Sequence, residues 1–268
     1  PSELAKYIIV FFLAMMIEKY GQVKKNWIVP LIYLGAAGVF SILVFMENNL
    51  SIAAIIMFVA FIMVFVSGMN GKETIALMGA GGVLGAMGIF SSDYRRERFM
   101  SFTNPWKYAN DEGYQLVHSL YAIGSGGLFG VGLGNSKQKA LYMPEPHNDF
   151  IFAIIAEELG LVGCIIIMAI FAVLIIAGID VAMKAKDKYG KLLAAGIISV
   201  IAVQVIINIA VVTGSMPVTG VPLPFISYGG TSLVFNLAAV GVLLNISRQT
   251  KSHKDEIQEK IIKSKMNV

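Results

Sequence analysis

The sequence of 268 residues is poor in charged residues and in cysteine. Asp, Glu, Lys and Arg make up only 14% of it, whereas a soluble domain carries about 25%. Cys164 is the sole cysteine, which excludes an internal disulfide framework and a multi-cysteine metal cluster. Hydrophobic residues instead reach 56%, with a mean hydropathy of +0.72. This composition is typical of a chain that lies in a lipid bilayer.

The formal net charge of +4 gives no indication of nucleic-acid binding. Lys and Arg cluster in short connecting segments, which is how membrane proteins distribute their charge. The chain opens at Pro1 directly into an apolar run, without the basic region and cleavage site of a signal peptide. We therefore expect the sequence to be the N-terminally truncated form of a longer protein.

Seven apolar runs are predicted to be transmembrane helices. A span needs about 20 mostly apolar residues, and four uncharged runs reach that length. A fifth uncharged stretch, 192–247, is too long for one helix, and the prolines and glycines between 213 and 230 must divide it into two. The predicted spans are 4–17, 27–46, 50–71, 74–92, 159–179, 192–212 and 231–247.

The short loops predict the orientation of these spans. Segments 18–26 and 180–191 and the tail after Ser247 are rich in Lys and Arg. Seven spans place all three on one side, which the positive-inside rule makes the cytoplasm. The turn 47–49, the segment 91–149 and the loop 213–230 then face outside. We expect a transmembrane domain over 1–249 and a charged cytoplasmic tail over 250–268.

The external segment 91–149 is the unusual element. A structureless loop of this length is uncommon and usually functional. Its apolar, glycine-rich part, 116–134, predicts a partly inserted amphipathic element. The glycines at 124–134 lack the preceding strand of a dinucleotide-binding motif, so we interpret them as sites of close backbone packing or substrate approach.

Ionisable side chains within spans are functional candidates, because a charge in a bilayer is costly. Glu3 and Lys6 lie three residues apart on a helix and can pair. They form either an ion pair that lets both tolerate the membrane, or a polar notch with Lys6 facing a phosphate. Glu157 and Glu158 point about 100° apart, which favours a structural role for at least one of them.

Polar clusters lie at both ends of the external segment. Arg-Arg-Glu-Arg at 95–98 either snorkels to lipid headgroups or binds a pyrophosphate-bearing lipid. At the other end, Asn148 or Asp149 is a natural N-cap for the following helix. Alternatively, a carboxylate at this external face can act as a general base. The isolated His147 argues against a tight zinc site.

Several segments together resemble the SEDS family (shape, elongation, division and sporulation), which includes FtsW, RodA and SpoVE. Pro-Ser-Glu-x-x-Lys at 1–6 is similar to the end of a family motif, and 94–139 is similar to the family's large external loop. The most specific matches are Pro-Glu-Pro-His-Asn-Asp-Phe-Ile-Phe-Ala at 144–153 and Pro-Val-Thr-Gly-Val-Pro-Leu-Pro-Phe-Ile-Ser-Tyr-Gly-Gly-Thr-Ser at 217–232. His-Asn-Asp is more similar to the division and sporulation branch than to RodA.

The resemblance implies an all-α, polytopic membrane helix bundle. About seven helices here would correspond to helices four to ten of a ten-helix fold. The family often has Gln-Pro-Asp-x-Gly where this chain has Glu-Asn-Asn-Leu-Ser at 47–51. Asn49 therefore replaces an acid, and the role of that carboxylate is in doubt here.

The resemblance also implies a peptidoglycan glycosyltransferase of the bacterial cytoplasmic membrane. It would polymerise lipid II into glycan strands at the outer face during division, sporulation or growth. Its partners would be a class B penicillin-binding protein, which is a transpeptidase, and other divisome or elongasome membrane proteins. The family's essential external aspartate falls on Asp149, as the base that accepts the proton of the acceptor hydroxyl.

The leaving pyrophosphate would need positive charge, with a divalent cation (Mg²⁺ or Mn²⁺) left open and no metal site assigned. Arg95, Arg96, Arg98, Lys139 and Lys6 are the candidates for that charge. The full set of substrate-binding candidates is Glu3, Lys6, Arg95, Arg96, Arg98, Gln115, Ser136, Lys139, His147, Ser227, Tyr228 and Gly229.

Two other functions remain open. A lipid II flippase would place charges near the midplane of the bilayer, yet six of the seven predicted spans carry no charge, among them the four uncharged runs of full length. In a non-catalytic divisome scaffold, Asp149 would be dispensable. The enzyme is favoured because the residues that carry chemistry cluster at the outer face. The loop 213–230 is expected to pack against the external site, with Gly229 and Gly230 permitting a tight turn.

Overall fold

The computed structural model describes residues 2–20, 28–47, 49–145 and 147–249. Within these residues the chain forms ten α-helices, one short 3₁₀ helix (Pro105–Tyr108) and no strand. Pro1, most of the basic loop 18–26 and the predicted tail 250–268 lie outside the described residues. The helices are α1 (Ser2–Tyr20), α2 (Ile28–Met46), α3 (Leu50–Val66), α4 (Gly71–Phe90), α5 (Asp93–Thr103), α6 (Tyr114–Gly126), α7 (Lys137–Leu141), α8 (Ile151–Lys184), α9 (Lys188–Val212) and α10 (Gly230–Gln249).

Each of the seven predicted spans coincides with one long helix, namely α1 to α4 and α8 to α10. In the described part of the chain, α2, α8, α9 and α10 are long and apolar enough to cross a membrane, and α3 is a shorter apolar helix. The predicted class, an all-α membrane helix bundle, is confirmed.

The central layer of the bundle consists of α1, α3 and α9, which pack against one another. The absent side chain at Gly196 allows this approach, because a Cβ there would lie 2.8 Å from the sulfur of Met63 and would also crowd Val10. Helix α2 packs on α3, while α8 and α10 pack on α9. Helix α4 contacts mainly α3 and α5, and most of its surface is exposed.

Helix α3 is shorter than its predicted span of 50–71. It ends at Val66 because the chain reverses at Gly68, whose φ of 107° a helix cannot accommodate. At the other end, Asn49 is its N-cap and accepts a hydrogen bond from the backbone N–H of Ile52 at 3.1 Å. Asn caps a helix about as well as Asp. Asn49 therefore still caps α3, although the family often has Asp at this position.

The segment 91–149 contains α5, α6, α7 and the 3₁₀ helix, so it is not a structureless loop. Helix α6 packs along α8 and buries Leu116, Val117 and Ala122. The apolar residues of α6 thus pack on the bundle.

Helix α8 begins earlier than the predicted span 159–179 and is broken at Gly160, where φ is 67° and ψ is −167°. The loop after α6 fills this break. Backbone N–H groups of Val131 and Gly132 donate to the carbonyls of Glu157 and Glu158, at 2.9 and 3.1 Å. The α8 groups that the break leaves without helical partners are thereby satisfied.

Two further hydrogen bonds complete this junction. The N–H groups of Leu161 and Val162 donate to the carbonyls of Gly127 and Leu128, at 2.9 and 3.1 Å. A Cβ at Gly130 would collide with the carbonyl of Glu158. Close backbone packing is therefore confirmed for Gly126 and Gly130, whereas Gly124, Gly127 and Gly134 have open space around them.

Candidate active site

The two most specific sequence motifs lie against each other at one end of the bundle. Ser227 Oγ donates a hydrogen bond to the carbonyl of Asn148 and accepts one from the N–H of Leu223, both at 2.7 Å. The N–H of Tyr228 donates to the carbonyl of His147 at 2.9 Å, and their rings meet edge to face. Loop 213–230 therefore packs against the segment that contains Asp149, as expected for a loop that covers the site; that this end of the bundle is external stays a prediction.

A buried amide that the sequence analysis missed joins a third element to this contact. Asn208 on α9 donates through Nδ2 to the carbonyl of Asp149 at 2.7 Å and to that of Val221 at 2.8 Å. The available signal was an amide within an apolar predicted span, where polar side chains usually bond to other elements.

Asp149 does not cap α8. The helix begins at Ile151, and its N-cap is Phe150, which has no capping side chain. The side chain of Asn148 instead donates to Glu145 Oε2 at 2.6 Å. The N-cap interpretation of Asn148 and Asp149 is therefore wrong, because α8 starts at Ile151 and its N-cap position falls on Phe150.

Partial burial raises the pKa of the Asp149 carboxyl above its usual range. The positive charge of Arg98 opposes this rise, whereas the negative charge of Glu145 adds to it. Arg98 is half-buried on α5, and its Nε lies 3.7 Å from Glu112 Oε2. A carboxylate with a raised pKa is a stronger base than an ordinary aspartate.

The arginines of segment 95–98 point in different directions. Arg95 donates to the carbonyl of Gly88 at 3.3 Å and lies over the ring of Phe45, 4.5 Å from its centroid. Arg96 is exposed. Of the three arginines, Arg98 is the one whose charge acts on Asp149.

Ser136 and Lys139 belong to a second polar cluster around α7. Ser136 caps this helix by accepting from the N–H of Lys139 at 3.0 Å, and its hydroxyl donates to Glu157. The Glu157 carboxylate also accepts from two backbone N–H groups of α7. Lys139 Nζ lies 4.0 Å from Glu158 Oε1. The predicted structural role of at least one of these glutamates is confirmed for Glu157.

The predicted pair on α1 is present. Lys6 Nζ lies 2.8 Å from Glu3 Oε1, and the Lys6 side chain is fully buried. The next residue, Tyr7, donates through its hydroxyl to Asn236 on α10. Gln115 is half-buried in the first turn of α6. The structure thus places these candidates in separate groups, and a phosphate contact by Lys6 stays a prediction.

The glycine that the site requires is Gly220. Its φ is 67°, and a Cβ there would lie 3.4 Å from Asp149 Oδ2. Gly229 and Gly230 do not adopt positive φ, and both have room for a Cβ. The prediction that these two glycines permit the tight turn is wrong, because the left-handed positions of this loop lie earlier, at Gly214, Gly220 and Phe225.

Among the residues that the structure describes, no three His, Cys, Asp or Glu side chains gather as metal ligands. The donor set around Asp149 does not fit a protein-bound cation, for which several oxygen ligands converge.

The FtsW/RodA/SpoVE family of cell cycle proteins matches residues 1–252. The chain belongs to this family. Stage V sporulation protein E of Bacillus subtilis (strain 168) is 44% identical over 256 residues, which cover 94% of this chain and 69% of that protein. A probable peptidoglycan glycosyltransferase FtsW of Geobacter sulfurreducens (strain DL-1 / KN400) is 40% identical over 253 residues, covering 94% and 68%.

Solved structures of this family share the fold. One is a chain from a structure that describes the structural coordination of polymerization and crosslinking by a peptidoglycan synthase complex. It matches with a TM-score of 0.76 and 26% identity, and the match covers 94% of this chain and 70% of that chain. Rod shape determining protein RodA of Thermus thermophilus matches with a TM-score of 0.61 and 26% identity, covering 94% and 66%. As a member of the FtsW/RodA/SpoVE family, the chain is a multi-pass membrane protein.

Proposed function

We propose that this chain is a peptidoglycan glycosyltransferase that polymerises lipid II, with Asp149 as its general base. The observation that carries the proposal is the position of Asp149. The contact between motif segments 144–153 and 217–232, together with the hydrogen bond from Asn208, holds its backbone in place. Its half-buried carboxylate does not cap a helix. The names of relatives such as FtsW of Geobacter sulfurreducens support this activity.

The proposed chemistry is a single displacement with inversion at the anomeric carbon. Asp149 accepts the proton of the acceptor hydroxyl while the hydroxyl oxygen bonds to the anomeric carbon of the donor. The bond from that carbon to the pyrophosphate oxygen breaks, and the lipid pyrophosphate leaves with the electron pair. One base is sufficient for this step, whereas a retaining glycosidase needs a second carboxylate as nucleophile.

The departing pyrophosphate needs a cation, and Arg98 is the proposed one. Its positive charge lowers the pKa of the Asp149 carboxyl, and a guanidinium can hold a phosphate through two hydrogen bonds. The buried side-chain atoms without a hydrogen-bond partner in the described residues include Thr219 Oγ1, next to the Gly220 that lies beside Asp149. Because buried polar atoms are usually satisfied, we propose Thr219 Oγ1 as a contact for a bound sugar.

We further propose that the site faces outside and that 1–249 forms the catalytic domain, with 250–268 as a cytoplasmic tail. The excess of Lys at 180–191 supports this orientation. A class B penicillin-binding protein is the proposed partner, supported by the similarity to a chain of a peptidoglycan synthase complex.

The experiment uses purified protein in lipid nanodiscs with a class B penicillin-binding protein whose transpeptidase serine is substituted. Dye-labelled lipid II is added, and products are separated by length. The proposal predicts glycan polymers that a muramidase digests. A preparation that moves lipid II across vesicle membranes without forming polymer would contradict the enzyme and favour a flippase.

A further inference from the structure

The loop that fills the break in α8 exposes large apolar side chains. This loop, 127–133, is called the clasp loop because four backbone hydrogen bonds tie it to α8. Leu128 is 60% exposed, Phe129 80% and Leu133 75%. A soluble surface rarely presents such a patch without a binding partner, and the backbone bonds hold these side chains outward.

The length of α8 places the clasp loop relative to the membrane. At about 1.5 Å per residue, 161–179 rises about 28 Å, close to the roughly 30 Å of the hydrocarbon core. Asp180 and Lys184 form an exposed ion pair, Nζ to Oδ2 at 2.8 Å, which marks the other boundary of that core. The break at Gly160 therefore lies at the opposite boundary, which is the outer one in the proposed orientation.

The exposed surface of α8 continues from the clasp loop into the span. Leu161, Val162, Ile165 and Ile166 are all exposed directly below the break. The clasp loop bonds to Leu161 and Val162 themselves, so its apolar side chains lie at the upper edge of the same surface. On the other side of the loop, α7 begins with the exposed Lys137, a side chain suited to lipid headgroups.

We infer that the clasp loop inserts Leu128, Phe129 and Leu133 among the acyl chains of the outer leaflet. The insertion fixes the height of Asp149, which lies eleven residues before Gly160 and thus up to about 16 Å above the boundary. This role in fixing the height of Asp149 rests on the proposed function. A lipid-linked substrate presents its sugars at a fixed height above the membrane, so the base must be held at the same height.

Spin labelling tests the insertion without any activity. Cys164, the sole cysteine, is first replaced by Ala, and single cysteines are then placed at Phe129, Leu133 and Lys137. In lipid nanodiscs, labels at 129 and 133 should collide with oxygen, which concentrates in the acyl region. The label at 137, the matched control, should collide with a water-soluble nickel chelate.

Two results would overturn the insertion. Equal access of the nickel chelate to 129 and 137 would place the clasp loop in water. A label at 129 that neither reagent reaches would mean that a protein surface covers the loop.

The height-setting role is tested by Phe129→Asp beside Phe129→Leu. Because the inferred insertion places residue 129 among acyl chains, where a charge is costly, Phe129→Asp should lower the polymerisation rate about tenfold, whereas Phe129→Leu should stay near the wild-type rate. An undiminished rate in Phe129→Asp would overturn this role. If the wild-type protein polymerises no lipid II, the proposed function fails, while the spin-label measurement still decides the insertion.

Discussion

The side-chain amide of Asn208 holds the backbone of Asp149 in place. Its Nδ2 donates to the carbonyl of Asp149 at 2.7 Å and to that of Val221 at 2.8 Å. One buried side chain thus joins α9, the turn before α8 and the proline-containing loop. Loss of the Asn208 amide would leave the carbonyls of Asp149 and Val221 without this donor. Each buried carbonyl left unpaired lowers the stability of the fold by about 1–3 kcal/mol.

Asn208 should act as a positioning residue. In Asn208→Leu we expect the polymerisation rate to fall about 10- to 100-fold, because the Asp149 turn and loop 213–230 separate. In Asn208→Asp the added negative charge should also move the acid limb of the pH–rate profile to higher pH. The matched control is Asn245→Leu, since Asn245 is an exposed amide on α10. Equal losses in Asn208→Leu and Asn245→Leu would contradict the assignment.

The pH–rate profile should respond in opposite directions to the two charges that act on Asp149. A general base works when ionised, so the rate should rise with pH through its raised pKa. Arg98→Gln removes the charge that lowers this pKa, so the acid limb should move to higher pH. Glu145→Gln removes a charge that raises it, so the limb should move to lower pH. Shifts in the same direction would exclude Asp149 as the titrating base.

Gly220 should tolerate substitution less well than Gly229. At φ 67° an alanine is strained by about 1–2 kcal/mol, and the Cβ of Gly220→Ala would touch Asp149 Oδ2. We expect Gly220→Ala to lower the polymerisation rate several-fold at unchanged protein level. Gly229→Ala, in the same loop, has space and should stay near wild type. The reverse order of rates would contradict the placement of this loop.

The topology is tested by cysteine labelling in a Cys164→Ala background. Lys137 and Lys186 are both exposed but lie on opposite sides in the proposed orientation. In whole cells, Lys137→Cys should react with an impermeant maleimide, whereas Lys186→Cys should react only after permeabilisation. The opposite pattern would remove Asp149 from the outer face.

The long apolar runs predicted the bundle well, because about 20 apolar residues have few alternatives to a helix in a bilayer. Helix ends were less predictable. Gly68 ends α3 by its backbone conformation, and α8 extends beyond its uncharged run. The composition of the chain does not encode the backbone conformation of Gly68. The charged Glu157 and Glu158 concealed the earlier start of α8, because the uncharged run begins only after them.

The candidate site was predictable in part. The motifs that contain Asp149 and Ser227 were recognised from sequence, and the structure brings them together. Arg98 could not be distinguished from Arg95, because neighbouring arginines on one helix look alike until their contacts are known. Asn208 gave only the weak signal of an amide within an apolar span.

The most direct test of the account is the rate of lipid II polymerisation by purified Asp149→Asn. An amide cannot accept the hydroxyl proton, so we expect the rate to fall by about 10² to 10⁴. Thermal stability at neutral pH should be unchanged or higher, because a raised folded-state pKa means that ionised Asp149 is unfavourable in the fold. Asp180→Asn, which alters an exposed aspartate at the other end of α8, is the matched control and should retain the wild-type rate. Polymerisation by Asp149→Asn near the wild-type rate would contradict the central claim.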